Sequence, residues 1–480
     1  MTNSFFVRFL VLSCAWFSFS VCRLLALSVS FHGGAGQVGG SSALVTGGGV
    51  SVLIDCGTAY SDEAGERSGI DERDFTFPVT NLTAVLLTHA HQDHAGRVPE
   101  LVRAGFKGPL VMTEPSRELL RSAWRSQLRY DASFGKAPGW TKRRQDLMDE
   151  LMARVKIVSF GETNTFGRLS VVFSPVKHLP GAASIRLQDE EGSCLFSGDL
   201  GTLRSKLVKK IEPGETADAV FVETTYGASS LGSPEEIEAE YTRFRTSVAE
   251  TVRSGGLAWI PAFAMDRTQR VLLEIQQAID EGRIPATTPL YLLSPTARTM
   301  TEAYVSHPEW FDVPSMSRLD ALVKRSRRFF DPSRGWGPEG AILVTTSGMM
   351  DAAASAALLP DLASKPNVKV LLVGYQAPGT SGRELAHGAR ELKLKRGKMT
   401  VDVGVLCKTE KYSCFSGHGD ARENDRWLAN NLTSRIYLVH GDKASLAARK
   451  DDLEKRLGVG VSIAEKGTVY EITKSVPSDR

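Results

Sequence analysis

Histidine is scarce in this chain, nine in 480 residues. Cysteine is scarcer still: six, at positions 14, 22, 56, 194, 407 and 414, with no CxxC spacing. Zinc ribbons and a disulfide framework are therefore excluded, and reduced thiols fit better. No internal repeat or low-complexity tract appears, which excludes solenoids and disordered arrays. Net charge is only +3, too little to announce a nucleic-acid binder by itself. The basic residues do clump, at 121–129, 142–144, 324–328 and 393–398. Taken singly, such runs read as solvated faces. One long apolar run exists, at residues 9–21. It has signal-peptide length and is too short for a confident membrane span. A single arginine precedes it and no clean small-x-small cleavage site follows. Residues 1–26 are thus read as a start codon placed too far upstream, with a cytoplasmic protein expected. A true export signal or anchor is the alternative. The rest is ordinary globular composition, 42% hydrophobic and 24% charged, and the length implies two or more folded units.

Against that scarcity, Thr88-His-Ala-His-Gln-Asp-His-Ala95 places three imidazoles and a carboxylate in six consecutive positions. The apolar run Ala84–Leu87 before it reads as a buried strand. In extended chain His89 and His91 face the same way, while Asp93 and His94 fall where the next element starts. Imidazole plus carboxylate suits zinc, with manganese the second choice. A polar loop with surface histidines is the bland alternative, and this density argues against it.

The order of elements adds to this. Leu27–Phe31, Ser42–Val45 and Val50–Ile54 read as strands. The glycine-rich turn 32–40 superficially suggests a nucleotide loop. A dinucleotide fingerprint needs a helix there, and β-type sequence follows instead, so no nucleotide cofactor is expected. Four further acids or imidazoles each close a hydrophobic strand: Asp55, His178, Asp199 and Glu223. Any one could cap a turn. Together they indicate ligands gathered along one edge of packed sheets, and Asp55 suits an outer-shell acceptor that fixes a ligand imidazole.

This succession resembles the metallo-β-lactamase fold, and further motifs narrow the resemblance to its β-CASP nucleases. These are Glu223–Gly227, Ile260–Ala264 with Arg267, Ser294–Thr296, Thr346–Met349, Gly374–Thr380, Phe415–Asp420 and Leu438–Asp442. The resemblance runs from about Leu27 onward. It implies an α/β fold, an αββα sandwich with an inserted doubly wound α/β domain. The expected divisions are 27–225 and 390–480 for the sandwich and 226–389 for the insert. The resemblance also implies two zinc ions, with His89, His91 and His178 on one, Asp93, His94 and His440 on the other, and Asp199 bridging. Such a pair, about 3.5–4 Å apart, activates water and clamps a phosphoryl oxygen.

The resemblance further implies His418 as the group that assists the leaving oxygen, with Glu223 orienting it. Asp55 and Asp93 support the catalytic set, and Ser347 and Gly348 bind substrate. His32, His307 and His387 have no comparable context. The implied activity is endo- or 5′-exonucleolytic hydrolysis of single-stranded RNA, in a compact prokaryotic type related to the pre-mRNA 3′-end-processing endonuclease. A homodimer is a further expectation. Alternatives are a small-molecule metallohydrolase, a DNA-acting β-CASP nuclease and a non-catalytic RNA-binding subunit. The insertion argues against the first and the complete ligand set against the last. Tyr226, Phe263, Tyr375 and Phe415 are candidate stacking residues.

Overall fold

A computed structural model describes residues 27–59, 74–133, 137–202, 216–311, 316–396, 399–431, 433 and 435–474. The hydrophobic segment 1–26 lies outside the described residues, as does the end of the basic run at 393–398.

The first half of the chain forms strands β1 (Leu27–Gly33), β2 (Ser42–Gly47), β3 (Val50–Ile54), β4 (Ala84–Leu86), β5 (Leu110–Met112) and β6 (Val155–Ile157). Next come β7 (Thr163–Phe166), β8 (Leu169–Pro175), β9 (Ala183–Gln188), β10 (Ser193–Phe196) and β11 (Ala219–Glu223). After these come β12 (Leu257–Pro261), β13 (Leu290–Leu293), β14 (Ala341–Thr345), β15 (Val368–Leu372), β16 (Glu391–Arg396), β17 (Met399–Gly404) and β18 (Lys408–Lys411). The chain closes with β19 (Arg435–Val439), β20 (Gly460–Ile463) and β21 (Val469–Ile472).

Two seven-stranded sheets form the sandwich, ordered β21-β1-β2-β3-β4-β5-β6 and β20-β19-β11-β10-β9-β8-β7. Their inner faces share one core, in which Val29, Val52, Ile54 and Leu86 meet Phe173, Ile185, Phe196 and Phe221. Phe31 packs on Phe221 with ring centroids 5.3 Å apart. The central strands β10 and β11 are buried at every position, which explains the apolar runs Cys194–Phe196 and Ala219–Val222. β1 alternates buried and half-buried residues, as a strand with one covered face does.

Five parallel strands, β13-β14-β12-β15-β18, form a third sheet. One face, with Ala258 and Ile260, packs on helices 234–253, 267–280 and 295–306; the other, with Leu257 and Trp259, packs on helix 353–362. Helices on both faces make this unit doubly wound. Its first helix, Pro234–Arg253, starts with Ser233 and Glu236 as a capping box and proline in the first turn.

One segment differs from the sequence reading. The sandwich was expected to resume at 390, but β17 pairs with β16 alone and β18 joins the inserted sheet beside β15. The return therefore comes after Lys411 rather than at 390. It ends in β19, which lies parallel to β11 with Val439 opposite Glu223. That register carries His440, distant in sequence, to the ends of the strands that precede Asp199 and Thr224.

Candidate metal centre

Six of the nine histidines gather at this edge. His89, His91, His178 and Asp199 can each offer a ligand atom within 4.8 Å of the others, and so can Asp93, His94, Asp199 and His440. Asp199 belongs to both sets. Glu223, His418 and His440 form a third group beside them.

Local structure differs from the simple strand alternation expected for His89 and His91. β4 ends at Leu86, and His91 is already the N-cap of the short helix Gln92–Ala95. The imidazoles converge through a loop, and they use different nitrogens. His89 Nε2 lies 3.2 Å from His91 Nδ1, and His178 Nε2 lies 3.0 Å from it. His178 Nδ1 donates to Gly417 O at 2.9 Å, so its Nε2 is free as an acceptor. His94 is set in the same way. Its Nδ1 meets Asp55 Oδ2 at 2.7 Å, while its Nε2 lies 3.2 Å from Asp199 Oδ1. Asp55 is in turn held by Thr88, whose N and Oγ1 donate to its two oxygens at 2.8 and 2.7 Å. Such outer partners fix the tautomer and aim of a ligand imidazole.

The backbone around these groups is tightly braced. Asp55 and His440 both have positive φ, 60° and 50°. A non-glycine residue there costs about 1–3 kcal/mol and persists only when its neighbours impose it. His440 N donates to Gly34 O at 2.7 Å, and Ser41 N donates to Asp93 O at 2.9 Å. The glycine-rich turn thus buttresses two of the donor residues. Gly57 permits a close approach: a Cβ there would lie 1.6 Å from Asp93 O.

Electrostatics fit a cation. Both oxygens of Asp199 and Oδ1 of Asp93 are buried and have no hydrogen-bond partner, a costly state for a carboxylate unless a positive charge sits beside it. Burial opposes ionisation of Asp199, but His440, His94 and His418 hold it well below the usual carboxylate range. Burial also opposes ionisation of Asp93, yet its bond to His440 keeps it low as well. Burial, reinforced by neighbouring imidazoles, holds His89 and His178 well below the ordinary imidazole range, which preserves their lone pairs. Burial likewise lowers His91. His94 is the exception, since Asp199 and Asp55 overcome burial and raise it. Nitrogen lone pairs crowded around unpartnered carboxylate oxygens are a donor set for zinc-like metal.

His418 stands at the rim, one-fifth exposed. Its Nδ1 lies 3.0 Å from Glu223 Oε1 and 3.8 Å from Asp199 Oδ2. Burial opposes its charge, but Glu223 and Asp199 raise it to about 9. Glu223 is itself fixed by Leu200 N and Thr225 N, at 3.1 and 2.9 Å.

Other sequence candidates fall elsewhere. Phe415 is fully buried, edge-on to Tyr241 and Phe244, and so cannot stack on a ligand. Tyr375 is more than half exposed. Ser347 Oγ donates to Asp351, and Gly348 O accepts from Gln376 Nε2. His32 bonds Thr76, and His307 stacks on Trp310.

Arg267 was legible only as a motif member with no role. Its guanidinium lies over Gly417, where an added Cβ would come within 2.8 Å of Nη2. Nε and Nη1 are buried without hydrogen-bond partners, and Asp266 is 3.6 Å away.

Comparison with known proteins agrees with this architecture. Residues 35–249 match the metallo-beta-lactamase superfamily, 268–385 the Beta-Casp domain, and 402–464 the Zn-dependent metallo-hydrolase RNA specificity domain. The chain is 28% identical to the transcription termination factor FttA of Methanocaldococcus jannaschii over 442 residues, 87% of this chain and 67% of that one. It is 28% identical to a ribonuclease of Thermus thermophilus over 452 residues, 91% of this chain and 97% of that one. An RNase J-like protein of Methanocaldococcus jannaschii is 27% identical, with 92% and 99% covered. A crystal structure of a protein of unknown function from Enterococcus faecalis shares the fold, with TM-score 0.51 at 14% identity, covering 93% of this chain and all of that one. The chain belongs to the β-CASP group of the metallo-β-lactamase superfamily and is a metal-dependent hydrolase.

Proposed function

We propose that this protein is a two-zinc ribonuclease that hydrolyses phosphodiester bonds of single-stranded RNA. The observation that carries the chemistry is the pair of buried donor sets sharing Asp199, with the Glu223–His418 pair at their rim. RNA as the substrate is supported by the match to an RNA specificity domain at 402–464 and by the relatives named as ribonucleases. The inserted domain, with a core of its own, points the same way, since a small substrate needs no such cover.

His89, His91 and His178 would hold one ion, Asp93, His94 and His440 the other, and Asp199 both. When bound, the metal supplies Lewis acidity, polarising a phosphoryl oxygen and making water nucleophilic near neutral pH. The chain's own groups do the rest. Glu223 occupies Nδ1 of His418, which leaves Nε2 for a substrate oxygen. As the water oxygen bonds to phosphorus and the bond to the leaving oxygen breaks, that oxygen takes its proton from His418. Arg267 presents unused guanidinium donors beside Gly417 and is suited to hold a phosphate oxygen.

End-labelled RNA carrying a 5′ monophosphate or triphosphate should be cleaved by the zinc-loaded protein, while matched DNA and a lactam should not. The product lengths report whether cutting is internal or from the 5′ end. Turnover of the lactam with RNA left intact would overturn this reading. Arg267→Met should lower kcat/KM by about 10–100-fold, the value of a charged hydrogen bond. Its metal content should be unchanged and its melting temperature no lower, because Nε and Nη1 make no hydrogen bond in the free protein and Asp266 keeps its closer partner Arg270. Unaltered kinetics would remove Arg267 from the site.

A further inference from the structure

One basic run from the sequence is not absorbed by the metal centre. Arg117, Arg121 and Arg125 follow one another at four-residue spacing on helix Glu114–Ser133, so they line one face, about 6 Å apart along the axis. With Trp124 and Leu128 they wall a cleft of about 300 Å³. Met148 and Met152 of helix Pro138–Ala153 close its other side. Trp124 is 2% exposed, and its indole Nε1 is buried without a hydrogen-bond partner. Arg117 is engaged by Glu114 and Glu118. Arg121 and Arg125 are exposed and have no ion-pair partner among the described residues. Asp149 is the single acid lining the cleft.

The cleft adjoins the metal centre through one turn of chain. Thr113 and Ser116, at the start of the arginine helix, both donate to Gly181 O, at 2.7 and 3.1 Å. Gly181 lies three residues beyond the ligand His178. The opposite helix leans on the same centre through Arg144, which bonds Glu100 and Gly96 O beside the His94 helix. The arginine helix also packs against helix 295–306 of the inserted domain.

We propose that this cleft is a second RNA-binding site, which holds single-stranded RNA extending beyond the metal centre. Arg121 and Arg125 take backbone phosphates, and the Trp124 N–H donates to an acceptor on a base lodged between the helices. The proposal rests on RNA being the substrate. Charge decides the occupant. Two unpaired guanidinia rim a cleft with an apolar floor and two unused buried donors, Trp124 Nε1 and Arg117 Nε, and a basic groove of this kind tracks the backbone of a single strand. An apolar peptide would leave the arginines unanswered.

The test compares wild-type protein with Arg121→Glu/Arg125→Glu and with Trp124→Phe, which keeps the ring and removes the donor. Cleavage is measured on single-stranded RNAs of about 5 and about 30 nucleotides, either side of the usual site size. Binding is measured on the same RNAs in an Asp199→Asn background. The double variant should cleave the short RNA normally and bind the long one about tenfold more weakly. Its slope of log affinity against log salt should be shallower by about 1.4, two single-strand phosphate contacts. Trp124→Phe should weaken long-RNA binding about fivefold. Unchanged long-RNA affinity, or an equal loss for both lengths, overturns the site. Displacement of the RNA by polyglutamate at equal charge concentration also overturns it, in favour of an acidic protein. If wild type binds long RNA but cleaves none, and the double variant still weakens binding, the ribonuclease reading falls and the cleft stands. If wild type binds no RNA, both fall.

Discussion

Asp199→Asn should lower kcat/KM for RNA by at least about a thousandfold and strip metal from the protein while leaving it folded. The substitution keeps the side chain's shape and exchanges one carboxylate oxygen for an NH2 group. Both oxygens of Asp199 are buried without hydrogen-bond partners, and they face different donor groups. Oδ2 lies 3.6 and 3.7 Å from His89 and His178, and Oδ1 lies 3.2 and 3.6 Å from His94 and His440. An amide cannot offer an anionic oxygen to both sides, and its nitrogen would point a donor where a ligand lone pair is needed. Loss of both Lewis-acid roles removes several kcal/mol of transition-state stabilisation, and each 1.36 kcal/mol is tenfold in rate. Folding should survive, because β10 and β11, which position the residue, are buried by apolar packing on both faces. Metal analysis, kinetics and circular dichroism together decide the matter. A variant that keeps two equivalents of metal and near-normal turnover would show that Asp199 does not join the two sets.

The donor residues that the fold gathers at this edge were legible in the sequence because each follows a hydrophobic strand or sits in a dense cluster. Scarcity of histidine made the cluster at 89–94 stand out from composition. What stayed hidden depends on packing between distant segments. The His89 and His91 rings meet in a loop, through Nε2 of one and Nδ1 of the other, which no alternation rule predicts. The role of Thr88 as the clamp on Asp55 needs the fold that brings β3 beside β4. Arg267 could be read as a motif member, but its unpartnered donors exist only because Gly417 and Asp266 surround it. Phe415 shows the converse. It was one of four candidate stacking residues in the motifs, and the inserted helix 234–253 covers it with Tyr241 and Phe244.

The fold followed a similar division. Three of the parallel strands of the insert, β12, β13 and β14, were visible as nearly continuous apolar runs, since a strand buried on both faces has no reason to alternate. The return path was misread because β17 also looks like a strand. Hydrophobic pattern says that a strand forms; it does not say which sheet takes it. The sheet is chosen by pairing, and β18 completes the inserted sheet beside β15 instead.

His418→Ala should slow turnover by about 10²–10⁴-fold, the range of a positioned general acid, while metal content stays near normal. The prediction separates assistance from ligation, because His418 also lies near His440 and Asp199. Its Nδ1 is taken by Glu223 at 3.0 Å, and Glu223 is locked in place by two backbone N–H groups. A ring tied in that way is aimed rather than free to turn toward the ions. Its one-fifth exposure also sets it apart from His89, His94, His178 and His440, all nearly sealed. Glu223→Gln should reproduce a smaller part of the loss, since the amide still fills the space but no longer stabilises the charged imidazole. The distinguishing readout is an RNA in which sulfur replaces the leaving oxygen at the scissile bond. Sulfur departs without a proton, so His418→Ala should cleave that linkage at close to the wild-type rate. A variant equally slow on both linkages would make His418 a positioning or binding residue. Loss of one metal equivalent would make it a ligand.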